Sequence, residues 1–213
     1  MNKKKIVKPK ISKFINKEQL SIDMINEDVS DLFIEDQVIS FDIDNIEFNG
    51  CIFHNVDFSK VSLNNIDLLD CEFVNCDLSN LDFSNRSIHR VTFKNCNLLG
   101  CIFINSSLWD VVIDGCKCNY INFSDCEIRH ALFIDSMFCE GTFMNIKIKE
   151  LDFNDCDFNK AAFFNINLSG INFSNSNIEG IKINNKDVKG MIVNPNQGIM
   201  LLGLLGIEIQ DSL

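Results

Sequence analysis

From Phe48 to Val193 an apolar residue returns at every fifth position, through 30 consecutive units without insertion or deletion. Neither the 3.6-residue repeat of a helix nor the two-residue repeat of a strand produces this spacing. Calling the recurrent position i, the i−2 position forms a second constrained column. It is small or aliphatic almost throughout (Cys51, Val56, Ile66, Cys76, Ala131, Gly141), and only Arg86 and Lys186 break it. The remaining positions are mostly Asn, Asp, Ser and Lys. Two inward residues per five, separated by one outward residue, describe a short extended segment that then turns a corner. The pattern is expected to begin earlier, at Phe33, Val38 and Ile43. A period of ten lies over the period of five. Positions ending in 5 are Asn, Asp or Gly from Asn45 to Asn185, residue types that tolerate tight turns, whereas positions ending in 0 follow no such rule. Of the 15 core positions from 53 to 193 ending in 3, 11 are Phe, against four of the 15 from 48 to 188 ending in 8. Two alternating corner types are expected, with opposite faces of a square equivalent.

The unit, a small residue, then Asp or Asn, then Leu or Phe, then two polar residues, resembles the pentapeptide-repeat family over about three quarters of the chain. That resemblance implies an all-β fold, a right-handed quadrilateral β-helix with four units per coil, so that residues twenty apart lie on top of one another. The repeat would make about 7.5 coils and a rod roughly 36 Å long at ~4.8 Å per coil. Each coil of a solenoid leans only on its neighbours, so both ends need caps.

The period stops at Asn194-Pro195, an N-cap followed by proline in the first turn, and NPNQGIMLLGLLG predicts a helix with Gly206 as its stop. Ile207 and Ile209 then alternate with Glu208 like a short strand. This segment either caps the last coil only, or caps it and also joins two rods end to end. In the second case Ile199, Met200, Leu201, Leu202, Leu204, Leu205 and Ile207 form the homodimer interface. The stretch DVKGMIVNPNQGIMLLGLLGIEI resembles the C-terminal cap of the Qnr quinolone-protection subgroup. The chain thus divides into a basic arm (1–20), an acidic cap or degenerate first coil (21–45), the repeat (46–193) and the C-terminal cap (194–213).

Charge is unevenly spread. The formal net charge is −11, but residues 1–20 carry seven Lys against Glu18, and residues 21–45 carry eight acids and no base. The arm reads as solvated. No signal peptide and no run of apolar residues long enough to span a membrane is present, so a cytoplasmic, bacterial setting with reduced cysteines is expected.

Chemistry is sparse. Eight of the ten cysteines occupy i−2 and Cys118 occupies i, which makes them small buried filler with no metal spacing. Three histidines, no Gly-rich phosphate loop and no loop long enough to build a pocket argue against an enzyme or a cofactor.

Folded modulo twenty, one face differs from the others. The units centred on Phe48, Leu68, Ile88, Leu108, Ile128, Ile148, Leu168 and Val188 hold all three arginines, two histidines and the only Trp. Seven bases meet seven acids there, while the other three faces carry five bases against 12 acids. Arg86, His89, Arg90, Trp109, Arg129 and His130 are either a ladder of solvated ion pairs or anchors for a protein partner. Ile102, Ile104, Met144 and Phe164 form a second outward patch. The Qnr resemblance implies a DNA mimic that binds DNA gyrase or topoisomerase IV and shields it from fluoroquinolones. The competing expectation is a scaffold docking an unrelated protein on the Arg/Trp stripe. Direct nucleic-acid binding is disfavoured, because acids match or outnumber bases on every face.

Overall fold

The computed structural model describes residues 5–24 and 27–210. The chain winds into a parallel β-solenoid of about eight turns closed by one short C-terminal helix, as the five-residue period predicts. Strands Ser87–Lys94, Ser107–Asp114 and Glu127–Ile134 stack in parallel, with Phe93 level with Ile113 and Ile113 level with Phe133. Residues twenty apart are therefore vertical neighbours. The shaft is filled by columns of aromatic rings. Phe83, Phe103, Phe123, Phe143 and Phe163 follow one another at centroid separations of 5.0, 5.1, 5.4 and 4.5 Å. Close stacking of this kind adds about 0.5–1.5 kcal/mol per pair beyond the area buried.

The cysteines do more than fill space. From Cys71 onward each thiol of the i−2 column donates to the carbonyl of an i residue in the coil above: Cys76 to Phe53, Cys101 to Leu78 at 2.9 Å and Cys126 to Phe103 at 2.7 Å. Ser106 makes the same bond to Phe83, so a small side chain with a weak donor adds a bond at a corner carbonyl, as at Phe103, which also accepts the Ser106 N–H. Burial pushes the Cys101 and Cys126 thiols up to about 12 and that of Cys156 to about 11, which keeps them protonated and able to donate.

Three expectations are corrected. The register of the first coil is shifted by one: Ile34 and Ile39 are buried, whereas Val38 is exposed and Phe33 only half-buried. Ile34 pairs with Phe53, nineteen residues on, and Ile43 pairs with Leu63, twenty residues on. One residue is therefore missing between Ile39 and Ile43, and the acidic segment still winds as a coil above the repeat. The corners do not alternate. At Leu98–Cys101, Phe103–Ser106, Cys118–Ile121 and Phe123–Cys126 the turn is closed by an N–H to carbonyl bond. The corner at Asp110, in contrast, lies inside a continuous strand. Equal corners are thus neighbours round the square. Left-handed backbone also occurs at positions ending in 0, including Arg90, Tyr120, His130 and Glu140, with φ of 53–60°. Asn dominates positions ending in 5 for a side-chain reason, since the amides form a ladder in which Asn105 donates to Asn85 at 2.7 Å and Asn165 to Asn145 at 3.1 Å.

At the C-terminal end Asn194 and Gln197 form a reciprocal capping box for helix Pro195–Leu202. The buried Gln197 amide donates to the carbonyls of Phe173 and Ser176 in the last coil. Leu201 and Leu204 pack onto the core. Gly206 ends the following 3-10 turn in a left-handed conformation. Ile207–Ile209 form no strand among the described residues, because no neighbouring rung is present to pair with them. The Leu205 side chain and residues 211–213 lie outside the described residues, as do residues 1–4 of the arm and residues 25–26.

Phe123 touches rings above and below, so Phe123→Ala is expected to lower stability by about 3–5 kcal/mol, read from denaturant unfolding; a loss below about 1 kcal/mol contradicts the stacked shaft. Nine thiols are buried and Cys139 is half-buried. A chromogenic thiol reagent should therefore titrate one cysteine in the native protein and ten after unfolding.

Candidate docking face

The corner strands Leu63–Val74, Ser87–Lys94, Ser107–Asp114 and Glu127–Ile134 carry the mixed-charge face. Because the strands are in twenty-residue register, outward side chains form vertical columns. In the i+1 column His89 stacks on Trp109 at 5.0 Å, and the Arg129 guanidinium lies over the indole at 5.2 Å. Arg129 is held in turn by Glu127. Trp109 remains 41% exposed, so the ladder leaves an aromatic edge open.

The i+2 column alternates in sign. Asp70 takes both Nε and Nη2 of Arg90 at 2.5 Å, and Arg90 Nη1 reaches the His89 ring. His130 sits between two acids, its Nδ1 3.5 Å from Asp110 and its Nε2 3.4 Å from Glu150. Burial alone would raise Asp70; the bidentate Arg90, the Lys10 N–H and the two cationic charges outweigh it and hold the carboxyl below its usual range. Burial together with the Arg90 and Lys10 charges outweighs the nearby acids and holds His89 below its usual value.

Asp70 and Asp110 are buried, 6% and 5% exposed, for a reason absent from the repeat. The basic arm is not solvated throughout. It runs back along this face, where the Lys10 N–H donates to Asp70 at 2.8 Å and the Val7 N–H donates to Asp110 at 3.2 Å. Between the arm and the rod lies a groove of about 970 Å³, walled on one side by Ile6 and Lys8 and on the other by Val112, Leu132 and Ile134. The expectation that nothing here builds a pocket is therefore also corrected, since the arm supplies the missing wall.

Of the six residues expected on the stripe, His89, Arg90, Trp109, Arg129 and His130 are brought together. Arg86 is not. Its guanidinium snorkels out of the i−2 column to the next corner and bonds Asn65 at 2.7 Å. Ile102, Ile104, Met144 and Phe164 are half-buried on a different face. The outward apolar set Val112, Leu132 and Ile134 beside the arm is legible in the modulo-twenty ordering, and Asp70 and Asp110 are legible as its acid column. Their role as acceptors for the arm is not. Among the described residues no cluster of His, Cys, Asp or Glu is placed to hold a metal ion, and no helix is long and apolar enough to cross a membrane.

A model of the pentapeptide repeat region matches residues 66–137. No curated protein matches the chain. Among solved structures, a trypsin-treated form of QnrB1, described as a plasmid-mediated fluoroquinolone resistance protein, is similar at 18% identity and a TM-score of 0.37, over 86% of this chain and all of that one. HetL, a pentapeptide-repeat protein involved in heterocyst differentiation regulation in the cyanobacterium Nostoc sp. strain PCC 7120, is similar at 13% identity and a TM-score of 0.46. That match spans 80% of this chain and 81% of HetL. Residues 66–137 are thus a pentapeptide repeat region, and the same five-residue register continues on either side of them.

Proposed function

We propose that this chain is a non-enzymatic binding scaffold whose open acidic faces are gripped by a protein built to hold duplex DNA. The protein that fits best is a type II topoisomerase, DNA gyrase or topoisomerase IV, which the rod would shield from fluoroquinolones. The observation that carries the reading is the division of the surface. The chain's own arm lies over the neutral, mixed face and the adjoining face that carries Val112, Leu132 and Ile134, while the two remaining faces, which hold seven acids against four bases between residues 46 and 193, are left uncovered by it. Their carboxylates are also held in place. Asp57 and Asp77 accept the N–H of Ser59 and Ser79 two residues on, and Asn97 donates to Asp77 at 3.0 Å. Burial alone would raise Asp77, but these bonds and the Lys117 charge outweigh it and keep the carboxyl below its usual range. Fixed, ionised oxygens on a straight rod are what a phosphate-reading saddle selects.

Charge density bounds the likeness. A duplex as long as the rod, ~36 Å, carries about 21 negative charges, against a net −7 for residues 46–193. The acidic first coil adds eight more acids. The C-terminal resemblance to the Qnr subgroup supports the same reading. The unbroken register, which leaves no loop projecting from the coils, favours topoisomerase binding over drug protection. The second reading, an unrelated protein docking on the stripe, is favoured by the exposed edge of Trp109 beneath Arg129.

The cap bears on assembly. Ile199, Met200 and Ile207 are 52, 38 and 48% exposed, and they form the outward surface through which we propose that two rods join end to end. Replacing Ile199→Asp and Met200→Asp should then shift sedimentation equilibrium from dimer to monomer. A wild-type protein that sediments as a monomer rejects the interface.

A gyrase supercoiling assay with and without ciprofloxacin tests the main reading. The protein should inhibit supercoiling or restore it in the presence of drug, and Asp77→Lys with Asp157→Lys should weaken the effect at least tenfold. No effect at a large excess rejects the topoisomerase. An effect lost with Trp109→Ala but not with the charge reversals selects the stripe.

A further inference from the structure

The arm meets the acid column with a spacing that identifies what the column reads. Asp70 and Asp110 lie two coils apart, about 9.6 Å along the rod at ~4.8 Å per coil. The two N–H groups they accept, those of Lys10 and Val7, are three residues apart. Residues 5–12 belong to no helix and no strand. A β-strand directs every second N–H to one side, so residues 7 and 10 would face opposite ways. A polyproline II segment repeats every three residues with a rise of ~3.1 Å, about 9.3 Å per turn, which matches two coils of the rod. The sequence between the bonded groups agrees. Pro9 offers no N–H and fixes its own φ, and Lys8, preceding it, is restricted to extended or polyproline II backbone. The bases between the acids complete the device: Arg90 holds both oxygens of Asp70, and His130 spaces Asp110 from Glu150.

We propose that the column Asp70–Arg90–Asp110–His130–Glu150 is a track for an extended, lysine-bearing, proline-containing polypeptide segment. It accepts one main-chain N–H per polyproline II turn, and the chain's own arm occupies it in cis. Recognition runs through the main chain, so it tolerates changes in side-chain sequence. Its chemical preference comes from the acids under the backbone and from the apolar groove of Val112, Leu132 and Ile134 beside Ile6. A protein partner bearing such a segment must displace the arm, and the arm thereby sets the affinity of the track for anything in trans. This site is separate from the face of Asp77 and Asp157 offered to a topoisomerase, so either assignment can fail alone.

The test uses the full chain and a fluorescent peptide with the sequence of residues 3–14, KKKIVKPKISKF. Substituting Val7→Pro and Lys10→Pro removes both donors without touching the rod, and Lys8→Pro serves as the control that removes a lysine and keeps both donors. The doubly substituted protein should bind the peptide at least tenfold more tightly than wild type, because its cis competitor is gone. Tryptic cleavage after Lys5 should also become at least tenfold faster than in the control. Methylating the peptide nitrogens at Val7 and Lys10 should abolish the gain, as should Asp70→Ala with Asp110→Ala in the receiving protein. Equal peptide binding by wild-type and doubly substituted protein overturns the track. Undiminished binding of the methylated peptide overturns the main-chain reading, since charge alone would then suffice.

Discussion

Vertical contact between side chains twenty residues apart is the constraint from which the other features follow. A ring such as Phe123 has few partners along its own coil. It is held by Phe103 above and Phe143 below, and the same separation brings the thiol of Cys126 to the carbonyl of Phe103. A unit one residue longer in mid-rod would carry every later side chain off its column. The count changes toward the N-terminal end of the rod, between Ile39 and Ile43 and again where Asn16 pairs with Leu32 sixteen residues on, where little stands above to be misaligned. Interior regularity also makes the exterior regular. Outward positions become straight columns with a fixed rise, which is why an acid on every second coil presents a periodic surface.

The shaft, its register and its C-terminal helix were legible in the sequence because each depends on residue type at a fixed spacing. Phe93 above Ile113 and Asn194 capping ahead of Pro195 follow from counting. The first coil was not legible, because Phe33-Ile34 and Val38-Ile39 are both apolar pairs and either member fits a period of five. Only packing against Phe53 selects the second. The corner types are not legible for a different reason. Asn at positions ending in 5 reflects the amide ladder, whereas the left-handed backbone is shared with Arg90, Tyr120 and His130, where no such ladder selects the side chain. The arm is the least legible segment. Lysines in a row read as solvated, and nothing local indicates that the N–H of Val7 will meet a carboxylate 103 positions away.

The candidate site shows the same division. Columns of His89, Trp109 and Arg129 are visible once the sequence is ordered modulo twenty, and their stacking follows from the register. Arg86 fails to join them because it arises from the inward i−2 column and leaves the shaft by another corner. Carboxylates on this rod serve two ends at once. Asp57 and Asp77 close their own turns and still place negative charge on the surface, so the fold fixes the charge pattern. Binding in this chain is a matter of which columns remain uncovered, and the arm decides that for one face.

The claim beneath all of this is that one coil contains twenty residues. Methyl–aromatic nuclear Overhauser contacts of Ile113 measure it directly in solution. The δ-methyl of Ile113 should show contacts to the rings of both Phe93 and Phe133, the residues twenty before and twenty after it. Absence of a contact to either of these rings would contradict the shared shaft and with it every column described on its surface.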